Sequence, residues 1–346
     1  MMTDKQKKIG LGLIILILCA IVYYFLYFIK TPAYSIKIIQ ESIQKHDVAT
    51  FEKHVDLDTL YNKGFDDFIA AQAKLSQDDI LNNPFAMGFI QMMKPGVVAQ
   101  LKAETIADVK GENTDNNTAN TEQKQMAKNI EEKANVKGLD IRDISVISKE
   151  NGSADVAITI HHYKLDKNFD IKVKMNQLDD GTWKLKEITN LTSFIIEVEN
   201  ATKAKLAELN KPIKEKLSKS VILANGRMSL STDNNPFFAS HWLEIDTKLQ
   251  NNTDKDISSI NFNIILTGPN QENLLTKAFT AKGQVSPNNI ITRYYRVDLN
   301  PFIEKDAAII KSDFPKTSWN IEVTAVEYAD GTKLEYLTEL PDPKKN

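Results

Sequence analysis

The chain reads as α+β: an N-terminal transmembrane helix, then a domain of helices plus an antiparallel sheet, then an all-β sandwich. Three observations predict this order. The run Ile9 to Ile29 is apolar and carries no charge. Apolar residues then recur at helical spacing from Pro32 to about Ala134. From Leu139 the period becomes two, turns helical over Ser193 to Lys219, and is two again as far as Leu337.

At a rise of ~1.5 Å per residue, a helix over Ile9 to Ile29 covers roughly 30 Å, the thickness of a bilayer's hydrocarbon core. Residues 1–30 are therefore expected to be a cytoplasmic tip and anchor, with the lipid bilayer as partner of Ile9 to Ile29. Lys5, Lys7 and Lys8 precede the run, and the positive-inside bias puts the N-terminus in the cytoplasm. The expected location is the plasma membrane, single-pass, with the C-terminal domains extracytoplasmic. A cleaved leader would close on small residues, whereas Tyr27-Phe28-Ile29-Lys30 ends this run. Cys19 follows Leu16-Ile17-Leu18 rather than a small residue, so it is no lipidation site. It is the only cysteine, which leaves the exterior without disulfides or thiolate metal sites.

Residues 31–192 form the expected helical plus antiparallel-sheet domain. Thr31-Pro32 is a helix start, with Ile36, Ile39 and Ile43 on one stripe. Asp47 caps a second helix bearing Val48, Phe51 and Val55, and Asp56 a third bearing Leu60, Phe65, Phe68 and Ile69. Ser76 ahead of Gln77, Asp78 and Asp79 marks a further start, and Pro95 opens a segment ending near Val109. Residues 110–124 contain no large apolar side chain and are expected to be a mobile loop, followed by a short helix from Glu122 to Ala134. Val156, Ile158 and Ile160, then Phe169, Ile171, Val173 and Met175, alternate with polar residues as half-buried strands. Asp180-Gly181 turns the chain into Trp183 and Leu185.

Residues 193–219 are expected to be a helical connector, with Glu199/Lys203 among its pairs four apart and Pro212 kinking it or capping its second half. Residues 220–338 read as a β-sandwich domain and 339–346 as a tail. In the sandwich, Leu243, Ile245 and Leu249 share one face, as do Ile260, Phe262, Ile264 and Leu266. Ile291, Tyr295, Val297 and Leu299 follow, then Trp319, Ile321, Val323 and Ala325. Turn signals at Asn251-Asn252, Gly268-Pro269, Pro287-Asn288 and Asp330-Gly331 separate them.

The stretch Tyr34 to Leu60, YSIKIIQESIQKHDVATFEKHVDLDTL, resembles the bacterial family called domain of unknown function 2939, and Phe89 to Val98 with Lys94-Pro95-Gly96 fits its later helical part. The resemblance covers roughly Tyr34 to Asn190. It implies an envelope location and brings no catalytic residue. Helices followed by a curved sheet also look like a cystatin or NTF2-like cone, an analogy at the level of fold. The C-terminal part is similar to immunoglobulin-like sandwiches of bacterial envelope proteins, with Asn252-Thr253 before Ile257 and a late Asp330-Gly331-Thr332 turn. It lacks the F-x-L-Y-D sequence of one such family, the nearest stretch being Tyr295-Arg296-Val297-Asp298.

Composition, 42% hydrophobic and 26% charged with a net charge of -3, is that of packed globular protein and leaves no nucleic-acid footprint. The five histidines form no H-E-x-x-H pair, and His161 and His162, adjacent on a strand, point to opposite faces. Asp56/Asp58, Asp66/Asp67, Asp78/Asp79 and Asp179/Asp180 sit where capping, turn or surface roles account for them. Asp254-Lys255-Asp256 lacks the glycine and closing glutamate of a calcium loop. No G-x-S-x-G elbow occurs, and no glycine precedes a lysine as in a phosphate cradle. Met87, Met92 and Met93 with Phe85 and Phe89 form an adaptable apolar set suited to helix packing. No catalytic, cofactor-binding or metal-ligating residue is nominated. If the cone holds a cavity, His161, His162, Tyr163 and Trp183 are its expected lining.

The favoured expectation is a non-enzymatic envelope protein that binds a protein or wall polymer. A small-molecule sensor or carrier using the cone is the alternative, and a hydrolase built on it ranks third.

Overall fold

The computed structural model describes residues 23–24, 27–75, 84–112, 139–234 and 239–342. They fall into two compact units, Met1–Lys203 with Pro341–Asn346, and Ala204–Leu340.

In the first unit, helix α1 (Pro32–Gln44) starts where Thr31 accepts the Tyr34 amide at 3.2 Å and Pro32 occupies the first turn. Asp47 accepts the Thr50 amide to cap α2 (Val48–His54), and Asp56 accepts the Thr59 amide ahead of α3 (Leu57–Leu75). Helix α4 (Pro84–Lys110) is longer than expected, because it continues through Pro95 instead of beginning there. Buried Val97, Val98 and Leu101 on one side, with Met87, Ile90 and Met93 packed on the core, hold it together where proline removes one backbone donor. The methionine set therefore splits: Met87 and Met93 face the core, while Met92, Phe85 and Phe89 are exposed.

Strands β1 (Leu139–Glu150), β2 (Ser153–His162), β3 (Lys167–Gln177) and β4 (Trp183–Ile188) form one antiparallel sheet in sequence order. Asn151-Gly152, both at positive φ, close the first hairpin, as a two-residue turn with right-handed strand twist requires. On β2 every second residue from Ala154 to His162 is buried. Those side chains meet Phe65, Phe68 and Ile69 of α3 and Phe194, Ile195 and Val198 in one core.

The outer edge of β4 is closed by the helices. The Trp183 amide donates to Ser35 Oγ at 2.9 Å, and its carbonyl accepts from His54 Nδ1 at 2.9 Å. The Leu185 carbonyl accepts the Asp56 amide at 2.8 Å, and Val55 bridges Leu185 in parallel. The Trp183 indole Nε1 reaches the Lys30 carbonyl at 2.9 Å.

This last bond bears on the expected anchor, which must be corrected. No helix among the described residues is long and apolar enough to cross a membrane, so a transmembrane helix is not part of the fold described. Phe28–Lys30 is a 3-10 turn whose end is tied to Trp183, and Phe28 packs edge-on against Tyr34 at 5.4 Å. The residue just past the apolar run is thus tied to the first unit through Trp183. The rest of Ile9 to Ile29, apart from Tyr23, Tyr24 and Tyr27, lies outside the described residues, as do Ser76 to Asp79, most of the expected loop 110–124 and the expected helix Glu122 to Ala134.

Helix α5 (Leu191–Ser220) runs on through Pro212, with Glu199 and Lys203 paired at 3.4 Å. In the second unit, β5 (Val221–Asn234), β6 (Ala239–Asn251) and β9 (Ile290–Leu299) form one antiparallel sheet, ordered β5-β6-β9. The other is ordered β11-β10-β7-β8, from β7 (Ile257–Thr267), β8 (Asn273–Val285), β10 (Ser318–Tyr328) and β11 (Lys333–Glu335). Their inner faces share one core that includes Leu243, Ile245, Phe262, Ile264, Val297 and Val323. Two departures from the expected pattern occur. A bulge between Val323 and Ala325 shifts the phase of β10, so Val326 rather than Ala325 is fully buried. A short helix, α6 (Glu304–Lys311), interrupts a region read as strand and buries Ile309.

Trp183→Phe keeps an aromatic ring, though a smaller one, and leaves the Lys30 carbonyl without its indole donor, an expected loss of at least about 1–3 kcal/mol. Trp183→Ala also opens a cavity and is expected to cost about 3–5 kcal/mol. Denaturant unfolding of the full chain measures both, and equal stability of the three proteins would refute the role given to this side chain.

Candidate functional site

The four expected cavity-lining residues do not converge. His161, His162 and Tyr163 lie at the end of β2, where His161 pairs with Asn168 and His162 with Lys167 at the start of β3. Trp183 opens β4 opposite Gln177, at the far end of β3. Nine strand positions separate Asn168 from Gln177, about 30 Å at ~3.3 Å per residue.

At the first end, the two histidines point to opposite faces, as strand geometry demands. His161 is partly exposed; its Nδ1 lies 2.8 Å from Asn168 Oδ1 and its Nε2 3.5 Å from Asp166 Oδ1, and Tyr163 meets the ring edge-on. His162 is buried against Phe169 at 6.3 Å, and its Nδ1 accepts the Leu165 amide at 3.2 Å. Burial pushes the His162 imidazole below the ordinary histidine value, so the neutral ring is the favoured form. Nδ1 as an acceptor fits that form, with the proton on Nε2.

At the second end, the Trp183 side chain is fully buried. Its amide, carbonyl and indole nitrogen are each committed to Ser35, His54 and Lys30, and Lys149 Nζ stands 5.2 Å from the ring centroid. The residues that make Trp183 a docking post, Ser35 and His54, carried no sequence signal. Each is a polar side chain on a short helix, and only the approach of β4 gives it a partner.

The carboxylates are tied into the fold in the same way. Asp180 receives Lys53 at 2.6 Å and the Thr182 amide at 2.9 Å, and the Lys53 bond, then Thr182, hold its carboxyl well below the usual range. Burial raises Asp56, but bonds from Thr59 and Lys186 outweigh it and leave the group lowered. Asp66 pairs with Lys94 at 2.8 Å, Asp67 accepts Thr192 Oγ1 at 2.9 Å, and Asp58 pairs with Lys102. Asp78/Asp79 lie outside the described residues. In the second unit Asp256 accepts from Gln284 at 2.9 Å, while Lys255 pairs with Asp330 at 2.8 Å. Among the described residues no group of three His, Cys, Asp or Glu is placed to hold a metal ion.

Residues 21–111 match the sequence profile of a family described as Protein of unknown function (DUF2939). The match runs from the apolar N-terminal segment to the end of α4 and stops short of the sheet, so it begins before the resemblance read over Tyr34 to Asn190 and ends well short of its end. No curated protein matches the chain. Among solved structures, the chain is similar to one titled "X-ray structure of Northeast Structural Genomics Consortium target SoR45", at 11% identity, over 38% of this chain and 96% of that chain. Its TM-score of 0.22 carries no argument about fold.

Because the folded state holds His162 neutral, the unfolded chain binds its proton first as the pH drops. The stability contributed by this burial is present above the ordinary histidine value near 6.5 and is lost as the pH falls through the lowered folded value. His162→Gln is expected to flatten the fall in stability below about pH 6.5. Urea midpoints of the two proteins between pH 7.5 and pH 5 test this, and parallel curves would exclude it.

Proposed function

We propose that this chain is a two-unit binding or structural module of the bacterial cell envelope, acting outside the cytoplasm and without catalysis of its own. One observation carries the reading: among the described residues, the carboxylates and buried histidines that could serve acid–base chemistry hold the fold instead of facing a common cleft. Asp56 caps a helix, Asp180 closes a turn, His54 satisfies a strand carbonyl, and His162 is buried neutral. General acid–base chemistry needs such groups within hydrogen-bond reach of a shared substrate atom. The resemblance of Tyr34 to Leu60 to an envelope family supports the location.

The second unit supports a display role. Three- and four-stranded antiparallel sheets around one core fit the immunoglobulin-like sandwich, whose loops and faces present contact residues on a rigid frame. In the first unit, helices lying on a four-stranded antiparallel sheet fit the cystatin or NTF2-like class. With Trp183 buried and some 30 Å of strand between it and His161, the expected lining residues do not form one pocket there.

A thermal-shift screen of the full chain against metabolites and divalent ions, paired with retention of envelope components on the immobilised chain, tests this reading. A ligand at about 100 times its Kd stabilises by about 2.7 kcal/mol, which is several degrees for a domain of this size. The expected result is a flat small-molecule screen together with saturable retention of a protein or wall polymer. A metabolite that shifts the transition saturably would overturn it.

A further inference from the structure

An asparagine or aspartate directly precedes a glycine at Asn151-Gly152, Asp180-Gly181, Asn225-Gly226 and Asp330-Gly331. In such a pair the glycine nitrogen, unhindered by a side chain, can close on the side-chain carbonyl carbon to give a five-membered imide. The fold treats the four pairs differently.

The two aspartates are held by the same clasp. Asp180 takes Lys53 at 2.6 Å and the Thr182 amide at 2.9 Å, and Asp330 takes Lys255 at 2.8 Å and the Thr332 amide at 2.9 Å. The lysine bond, with the threonine behind it, holds both carboxyls well below the usual range, so both stay ionised and accept an attacking nitrogen poorly. Asn225-Gly226 lies inside β5, paired with β6 on either side through Leu223 with Leu249 and Met228 with Ile245, and Trp319 closes on the glycine. Bringing the Gly226 nitrogen onto the Asn225 carboxamide means parting that ladder in both directions.

Asn151-Gly152 has neither protection. It is the two-residue tip beyond the Glu150 with Ser153 pair, and β1 is an edge strand of its sheet. Both residues are exposed, with φ of 49° and 75°, and a Cβ on Gly152 would meet nothing within 4 Å. Among the described residues, neither the Asn151 carboxamide nor the Gly152 amide has a hydrogen-bond partner. The Gly152 carbonyl accepts the Gln177 amide at 2.8 Å, so the tip is anchored on one side.

We infer that Asn151 is a self-modification site, where attack by the Gly152 nitrogen converts the hairpin tip to aspartate and isoaspartate. The Gly152 nitrogen bonds to Asn151 Cγ, the bond from Cγ to the side-chain nitrogen breaks, and that nitrogen leaves as ammonia with the Gly152 proton. Water then adds to one imide carbonyl and reopens the ring. Either product places a negative charge beside Glu150, and isoaspartate also lengthens the main chain of a turn that holds two residues. The pairing of β1 with β2 weakens from the tip inward. The inference is independent of the binding-module reading.

Incubation of the full chain in warm, mildly alkaline buffer, followed by peptide mapping that separates asparagine, aspartate and isoaspartate, reads both Asn-Gly sites in one molecule. In the folded chain, conversion at Asn151 should outpace that at Asn225 by about tenfold or more, because a hairpin end opens at far lower free energy than a ladder interior. In urea the two sites should convert at comparable rates. Gly152→Asp keeps a residue that tolerates positive φ but sets a side chain and a charge beside the attacking nitrogen, so it should slow conversion at Asn151 severalfold and leave Asn225 unchanged. No conversion at Asn151 in the folded chain, equal conversion at Asn225, or undiminished conversion in Gly152→Asp would each overturn the inference.

Discussion

The free edge of β4 is the constraint on which the first unit depends. A strand with unpaired amides and carbonyls at the boundary of a core must find partners for them, since each buried unpaired group costs on the order of 1–3 kcal/mol. Here Ser35, His54 and the Asp56 amide supply those partners, and the Lys30 carbonyl takes the indole hydrogen. Three segments of the helical layer are thereby registered against one strand. Trp183 fills the space between them, which is why its ring is buried to the last atom.

The second unit meets the same demand by pairing strands and knotting one corner. Asn251 is fully buried, yet its Nδ2 donates to the Lys255 and Val285 carbonyls at 2.8 and 2.7 Å, and its Oδ1 accepts the Thr253 amide at 2.9 Å. One side chain thus fixes the turn after β6 to the end of β8. On α5, well before that corner in the chain, Asn210 exchanges two bonds with the backbone of Leu337. Gly226 lets β5 approach the Trp319 ring more closely than a Cβ would permit.

Much of the layout was legible because period two and helical spacing are local. β7 shows this best: Ile260, Phe262, Ile264 and Leu266 stand on one inward face as their alternation predicts. The caps at Thr31, Asp47 and Asp56 were equally legible, since a cap is decided within four residues. What failed were features set by distant neighbours. The bulge in β10 depends on what β7 offers across the ladder, and the passage of α4 through Pro95 depends on the core beneath it. At the N-terminal side, Lys30, just past the apolar run, is tied to Trp183, and no helix among the described residues is long and apolar enough to cross a membrane.

Local order alone determined where helices and strands begin, which strand faces are apolar, and that His161 and His162 would part to opposite sides of the sheet. Only the tertiary structure decided that Trp183 would stand at the other end of β3 from them, and that the carboxylate pairs would be held by Lys53, Lys94, Lys102 and Lys186. It alone set which aromatics stay in water. The reason is physical: periodicity and capping act over a few residues, whereas the β7–β10 register and the closure of the β4 edge are settled between segments from about sixty to about a hundred and fifty positions apart in the chain.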